Sequence, residues 1–316
     1  MKRRAFVGAI VAASFASLPA PGGLQRHWAV PREPVLIDRW SWAMGQSVRL
    51  RLFHHDEAAG LEVAQATLAE LRRVEALLSR FDDASALSEL NRRAGRAPWR
   101  APPEFLGVLR AAAEMRVITG GAFDVAVEPL MRVWGFHASR ATAPLPQEVA
   151  EAEAAVRAAV VMIGEDSVHL PARHNQLDLG GIGVGYALDR AAAVLRARGI
   201  ASALLDVSGD LIALGAPPGR DGWLVDIVDG VSPGRDPATV ELSDRALATS
   251  SAGGTTVRFG MVERGHLMNP REACREPAVR QATALAHTGL LADALSTAAA
   301  VSGRKSLAAD RVWLRS

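Results

Sequence analysis

The stretch Ala203–Leu214, ALLDVSGDLIAL, decides the fold. Two short apolar runs, Ala203–Val207 and Leu211–Leu214, flank the turn-prone Ser208-Gly209-Asp210 and read as a pair of strands. The same pattern continues downstream. Trp223–Val228, Thr239–Leu242 and Thr283–Ala286 are further strand-like runs, separated by Gly, Pro and Asp. Strands that follow one another, rather than alternating strictly with helices, predict an α+β fold with a largely antiparallel sheet. Upstream, Val48–Phe53 reads as a strand. A helix follows over Glu57–Arg80, with apolar Leu61, Leu68, Leu71, Val74, Leu77 and Leu78 on its inner face. Pro102-Pro103 opens a second helix that Gly120-Gly121 closes, in the expected order of start and stop signals. Further helices are predicted over Gln147–Val161, over Gly185–Arg198 with Gly199 as its stop, and over Leu290–Val301.

Composition bounds the function. The chain has 316 residues, 49% apolar and 22% charged, a globular balance that excludes wholesale disorder, collagen and coiled coil. Net charge is only +2, and no basic stripe interleaved with aromatics is present, which argues against a nucleic-acid partner. A single cysteine, Cys274, rules out an internal disulfide framework and a paired-cysteine zinc site. Residues 1–20 read as a cleavable signal peptide: Lys2, Arg3 and Arg4 precede a short apolar run, with small residues near Ala16 and Ala20 for cleavage. Arg3-Arg4-Ala5-Phe6 also fits a twin-arginine signal, beside the ordinary secretory reading. The expected mature protein is periplasmic or otherwise extracytoplasmic. With no internal repeat or low-complexity linker after the leader, residues 21–41 are expected to be an N-terminal linker and 42–316 a single domain.

Three segments exceed what a plain core needs. Asp178–Asp189, DLGGIGVGYALD, packs four glycines into six positions just ahead of a helix. Such a turn lets backbone approach a ligand and aims amides at phosphate, although it also serves simply as a tight turn. In Ala292–Thr297, Asp293 and Thr297 sit one helical turn apart on one face, a carboxylate and a hydroxyl that suit a hard cation such as Mg²⁺. Helix solvation by Asp293 is the plainer alternative. His266 opens the turn HLMNPR, where an imidazole can act as a general base or merely as a structural residue. Two more segments are unusual. Gly120–Phe136 places a carboxylate inside what reads as an apolar strand, and buried acids need partners. Phe81–Asn91 follows a helix with a polar, turn-prone run.

In order along the chain, Met44-Gly45, Ser79-Arg80-Phe81 through Asn91, Gly121–Asp124 through Phe136, Asp178–Asp189, Asp206–Asp210, Ala248–Ser250, His266–Arg271 and Ala292–Thr297 resemble the motifs of the ApbE-type family, the FAD:protein FMN transferases. The resemblance covers about residues 42 to 302. It implies a T-fold-related α+β architecture that holds FAD and Mg²⁺, and transfer of FMN from FAD to a Ser or Thr hydroxyl of an exported or membrane redox protein, with release of AMP. Hydrolysis of FAD to FMN and AMP, or FAD binding without turnover, are the alternatives. Carried over position by position, the resemblance implies Gly181, Asp293 and Thr297 as metal ligands and His266 as the base. It implies Met44, Phe81, Ala122, Phe123, Asp124, Asp178, Leu267 and Met268 as FAD contacts. The chain departs from the family pattern at Gln46, where Thr is usual, at Phe81, where Tyr is common, and at Val184, where Lys is common. Ser208 stands for a Gly, and Ser251-Ala252 interrupts a Thr-Ser-Gly run. Asn269 stands for an Asp and Glu272-Ala273 for a Thr-Gly.

Overall fold

Alternation decides how the first hairpin sits. In Gln46–His54, Val48, Leu50 and Leu52 are buried while their neighbours are not, so one face of the strand meets the core. It pairs antiparallel with Val35–Ala43 across Met44-Gly45, both at positive φ (57° and 67°), the backbone of a tight two-residue turn. From there a seven-stranded sheet builds up in chain order: Val35–Ala43, Gln46–His54, Ala203–Val207, Asp210–Leu214, Ala246–Ser251, Gln281–Ala286 and Arg311–Arg315. Each strand pairs antiparallel with the next. The central strands are buried on both faces, which is why Ala203–Leu214 is almost continuously apolar. The computed structural model describes residues 33–137, 140–228, 237–272, 276–306 and 308–315. The expected leader and Cys274 lie outside the described residues.

Seven helices are described: α1 (Glu57–Leu78), α2 (Ala86–Arg92), α3 (Pro103–Ile118), α4 (Glu128–Val133), α5 (Pro146–Arg157), α6 (Gly183–Ala197) and α7 (Gly289–Ser302). The largest apolar cluster lies between the sheet and helices α1, α3, α6 and α7, with Leu50, Leu71, Phe105, Leu188 and Leu205 fully buried in it. The opposite face of the central strands is covered by the hairpin Trp223–Ile227 and Ala238–Leu242, through Leu204, Leu211, Trp223 and Leu242. Among the described residues, no helix is long and apolar enough to cross a membrane.

The α+β class and antiparallel sheet are as the sequence predicts, and several details differ. Val35–Ala43, which begins within the expected linker 21–41 and runs two residues past it, is the first strand of the main sheet. Gly120–Phe136 contains no strand. It forms a 3-10 turn at Val125–Val127 and then α4, because Asp124 caps the turn by accepting from the Ala126 amide (2.9 Å) and Pro129 suits a helix start. The polar run after Phe81 becomes α2, started by the Ser85 hydroxyl accepting from the Ser88 amide (3.0 Å). α5 ends at Arg157, four residues before the expected Val161.

Helices α6 and α7 cross where both are glycine. A Cβ on Gly185 would lie 2.2 Å from the Gly289 carbonyl oxygen and 2.7 Å from Asp293 Cβ. Backbone cannot yield as a flexible side chain can, so Gly185→Ala is expected to cost about 3 kcal/mol, read as a lower urea midpoint at unchanged slope. Wild-type stability in that variant would show that the helices separate easily.

Candidate active site

The glycine-rich turn gathers most of the predicted site. Asp178 is fixed ahead of it. Its amide donates to Val125 O (2.8 Å), and its Oδ1 accepts from the Gly180 amide (2.7 Å). Three residues on, Gly181 faces α7: a Cβ there would stand 3.1 Å from Thr297 Oγ1 and 3.3 Å from the Phe123 ring. Phe123 is buried and Ala122 half-buried against the same core. Met44 reaches the start of α6, its methyl 3.9 Å from where a Gly183 Cβ would be.

On α7, Asp293 is 5% exposed and its Oδ2 accepts from the Gly185 amide (2.9 Å). Thr297 Oγ1 lies 3.1 Å from Ser250 Oγ, which in turn is 2.7 Å from Ser296 Oγ. Burial, the nearby Asp210 and the nearby Asp189 hold the Asp293 carboxyl well above the usual carboxylate range. Asp210 is likewise pushed up to about 7 by burial, against the Thr249 amide that it accepts from at 3.0 Å, with Asp206 adding to the rise. No basic side chain is recorded pairing with Asp210 or Asp293 among the described residues. The Asp293 carboxyl thus lies against Gly185, and one turn on the Thr297 hydroxyl lies against Gly181, with no basic side chain to compensate the acid. This all-oxygen donor set fits a hard divalent cation. Among the described residues no three His, Cys, Asp or Glu side chains are disposed to hold a metal ion, so a cation here would rest on this mixed set and its own waters.

A second charged cluster lies beside Asp178, and its members are absent from the sequence-derived site. Glu128, fully buried, accepts from Arg80 (2.7 Å) and Arg132 (2.9 Å). His137 stands between the two acids, Nε2 3.0 Å from Asp178 Oδ2 and Nδ1 3.6 Å from Glu128 Oε1. Phe81, 80% exposed, meets the His137 ring edge-on at 5.8 Å. Burial opposes charge on all three groups, yet the mutual pairing and the Arg80 and Arg132 guanidiniums win for the acids, whose pKa values fall. The two carboxylates likewise raise that of His137. The buried carboxylate flagged in Gly120–Phe136 is the signal that leads to Glu128. Nothing in the sequence joins it to His137.

The remaining predicted residues have other surroundings. Asp124 pairs with Arg116 Nε (2.6 Å) besides capping its turn. Leu267 packs with Leu295 and Ala299, and Met268 with Leu130 and Val149, both buried. His266 is partly exposed. Its Nδ1 lies 3.4 Å from the Thr255 amide nitrogen and 3.3 Å from the Thr255 carbonyl, and Nε2 has no hydrogen bond among the described residues. Burial holds its pKa below the ordinary imidazole value, against the pull of the Thr255 backbone and of Asp178. Asn269 Oδ1 accepts from the Arg271 (3.0 Å) and Glu272 (3.2 Å) amides, so the amide side chain ties the turn as an aspartate would. Val184 is buried in the core.

His137 tests this arrangement. The carboxylates have lowered pKa values in the fold, so their contribution to stability is complete above the unfolded carboxylate pKa and is lost as pH falls. That of His137, whose pKa is raised, is complete below the unfolded imidazole pKa and lost as pH rises through the folded one. His137→Ala is therefore expected to cost about 3 kcal/mol in urea unfolding at neutral pH and less in mild alkali. An equal cost at both would remove the charge from the explanation.

A model of the ApbE family matches residues 44–311 of the chain. The FAD:protein FMN transferase of Treponema pallidum is 30% identical over 244 residues, covering 72% of this chain and 67% of that protein. The Salmonella typhimurium FAD:protein FMN transferase is 25% identical over 303 residues, 93% of this chain and 85% of the relative. Among solved structures, the ApbE protein from Thermotoga maritima superposes with a TM-score of 0.80 at 24% identity, over 89% of this chain and 94% of that one. The flavin transferase ApbE from Vibrio cholerae does so with a TM-score of 0.73 at 20% identity, over 90% and 98%. At these identities the structural likeness establishes the fold, with its large antiparallel sheet.

Proposed function

The chain belongs to the ApbE family, and we propose that it transfers FMN from FAD to a Ser or Thr hydroxyl of an acceptor protein, with Mg²⁺ bound and AMP released. One observation carries this reading: Asp293 and Thr297 share a face of α7 that lies against Gly185 and Gly181 of the glycine-rich turn, and Asp293, buried, has no basic partner among the described residues. Gly181, Asp293 and Thr297 would hold the ion. Bound there, Mg²⁺ would supply neutralisation of the charge that develops on the diphosphate.

The chain's own groups do the rest. Met44, Phe81, Ala122, Phe123 and Asp124 would orient the flavin nucleotide, with Asp178 kept anionic beside the turn. Leu267 and Met268, both buried, would contribute through the wall they stiffen rather than through open contact. His266 is uncharged at neutral pH because burial lowers its pKa, and its Nε2 is free to take the acceptor's hydroxyl proton. The hydroxyl oxygen then bonds to the FMN phosphorus, the bond from that phosphorus to the AMP oxygen breaks, and AMP leaves. The leader supports an exported or membrane-anchored redox protein as the acceptor and a periplasmic site of action.

AMP formed from FAD, with and without Mg²⁺, is the decisive measurement. Asp293→Asn is expected to abolish Mg²⁺-dependent AMP release while FAD binding weakens only in part, and Thr297→Ala to do less harm, since water replaces a neutral ligand. Full activity in Asp293→Asn would refute the metal site. Free FMN without protein-bound flavin would mean hydrolysis. AMP release by wild type under no condition would leave a flavin binder.

His266 gives an independent check. With its pKa depressed, kcat/KM is expected to rise as pH passes through a value below that of free imidazole and then to stay level, and His266→Ala to lose about a hundredfold or more of the transfer rate. A pH profile unchanged in a slow His266→Ala enzyme would exclude it as the base.

A further inference from the structure

A cavity of about 630 Å³ opens where Gly120–Ala122, Asn269–Glu272 and the second half of α7 meet. Its walls carry three cations, Arg271, Arg304 and Lys305, and one acid, Glu272, which is already engaged in another contact. None of the three cations has an ion-pair partner among the described residues, and all three are exposed. Arg271 lies along the glycine pair, its Nε 3.4 Å from where a Gly121 Cβ would be. The floor is small and apolar, from Ala278, Leu295, Ala298, Ala299 and Ala308.

We propose that this groove seats a segment of the acceptor polypeptide that carries acidic side chains. The inference rests on the transfer reading above and adds where the acceptor binds and what chemistry marks it. Position is the first argument. The groove shares the turn Asn269–Glu272 with the segment that begins at His266, and Gly120–Ala122 with the segment that leads to Phe123, so a chain lying in it passes beside the site. Charge is the second. Cations without an ion-pair partner among the described residues, over an apolar floor, complement a polypeptide segment with acidic side chains. The flavin nucleotide is the other anion to be considered, and two features speak against it. Among the described residues no aromatic side chain lines the groove to stack a base. The residues expected at the diphosphate, Gly181, Asp293 and Thr297, are not in its walls, because α7 turns Leu295, Ala298, Ala299 and Ser302 toward it instead, and of the expected flavin contacts Ala122 alone reaches it.

The probe is a short fluorescein-labelled peptide of aspartates and glycines around one threonine, with a counterpart that has asparagine for each aspartate. Fluorescence anisotropy measures its binding to the full-length protein without turnover, and quenching of flavin fluorescence measures FAD binding in parallel. The aspartate peptide is expected to bind more tightly than the asparagine one and to weaken as salt rises. The double variant Arg304→Glu/Lys305→Glu is expected to lose about tenfold in affinity for it while keeping its affinity for FAD. Equal binding of the two peptides, or an unaffected double variant, overturns the proposal. So does a double variant that loses FAD instead, which would assign the cations to the nucleotide. Charge-dependent peptide binding in a protein that transfers no FMN supports the groove and counts against the transfer reading alone.

Discussion

Everything at the site depends on two helices meeting without side chains between them. Gly185 of α6 and Gly289 of α7 approach so closely that each carbonyl fills the space where the other's Cβ would be. Three carboxylate contacts lock that crossing. Asp189 accepts from the Gly289 (2.6 Å) and Leu290 (2.9 Å) amides, which are orphan donors at the start of α7, and Asp293 accepts from the Gly185 amide. The same contact presses Thr297 against Gly181. Glycine at both positions thus has a structural reason and a chemical consequence, because the approach that excludes a methyl group also brings the donors of two helices together.

The parts of this design that repeat at short range were legible in the sequence. Helix α7, the pairing of Asp293 with Thr297 on one face and the strands Ala203–Leu214 follow from periods of 3.6 and 2, which need no knowledge of distant partners. What escaped was set by contacts across the chain. Val35–Ala43 alternates, but its outer face carries Leu36, Trp40 and Trp42, half or more exposed, so its apolar residues do not mark one buried face. In Gly120–Phe136 the apolar residues suit a strand, and local capping by Asp124 overrides them. His137 and Glu128 are nine residues apart, yet their common neighbour Asp178 is about forty residues further on, and no sequence period reports such a triangle. Asn269 illustrates the converse: read as a type, it loses the charge of an aspartate, whereas in place its oxygen still ties the turn.

The two acidic clusters then separate by what surrounds them. Glu128, buried, and Asp178, half-buried, have basic neighbours, Arg80, Arg132 and His137, and titrate below the ordinary range. Asp293, buried, and Asp210, half-buried, have among the described residues only acids as charged neighbours, each other and Asp206 or Asp189, and titrate above it. Burial alone would raise all four, so the sign of each displacement reports whether compensation is built into the chain. The first cluster has its charge compensated within the chain, although Glu128 Oε2 and His137 Nδ1 are left without a hydrogen bond. The second is held in place at a cost, by backbone amides and a glycine crossing that leave its charge unmatched, and folding retains such an arrangement only where something from outside supplies the opposite charge. That asymmetry is why the cation proposed above is assigned to Asp293 rather than to Asp178. In that proposal Thr297 and the Gly181 backbone, which meet each other one turn along α7 from Asp293, would be neutral oxygen donors that add coordination without adding to the repulsion.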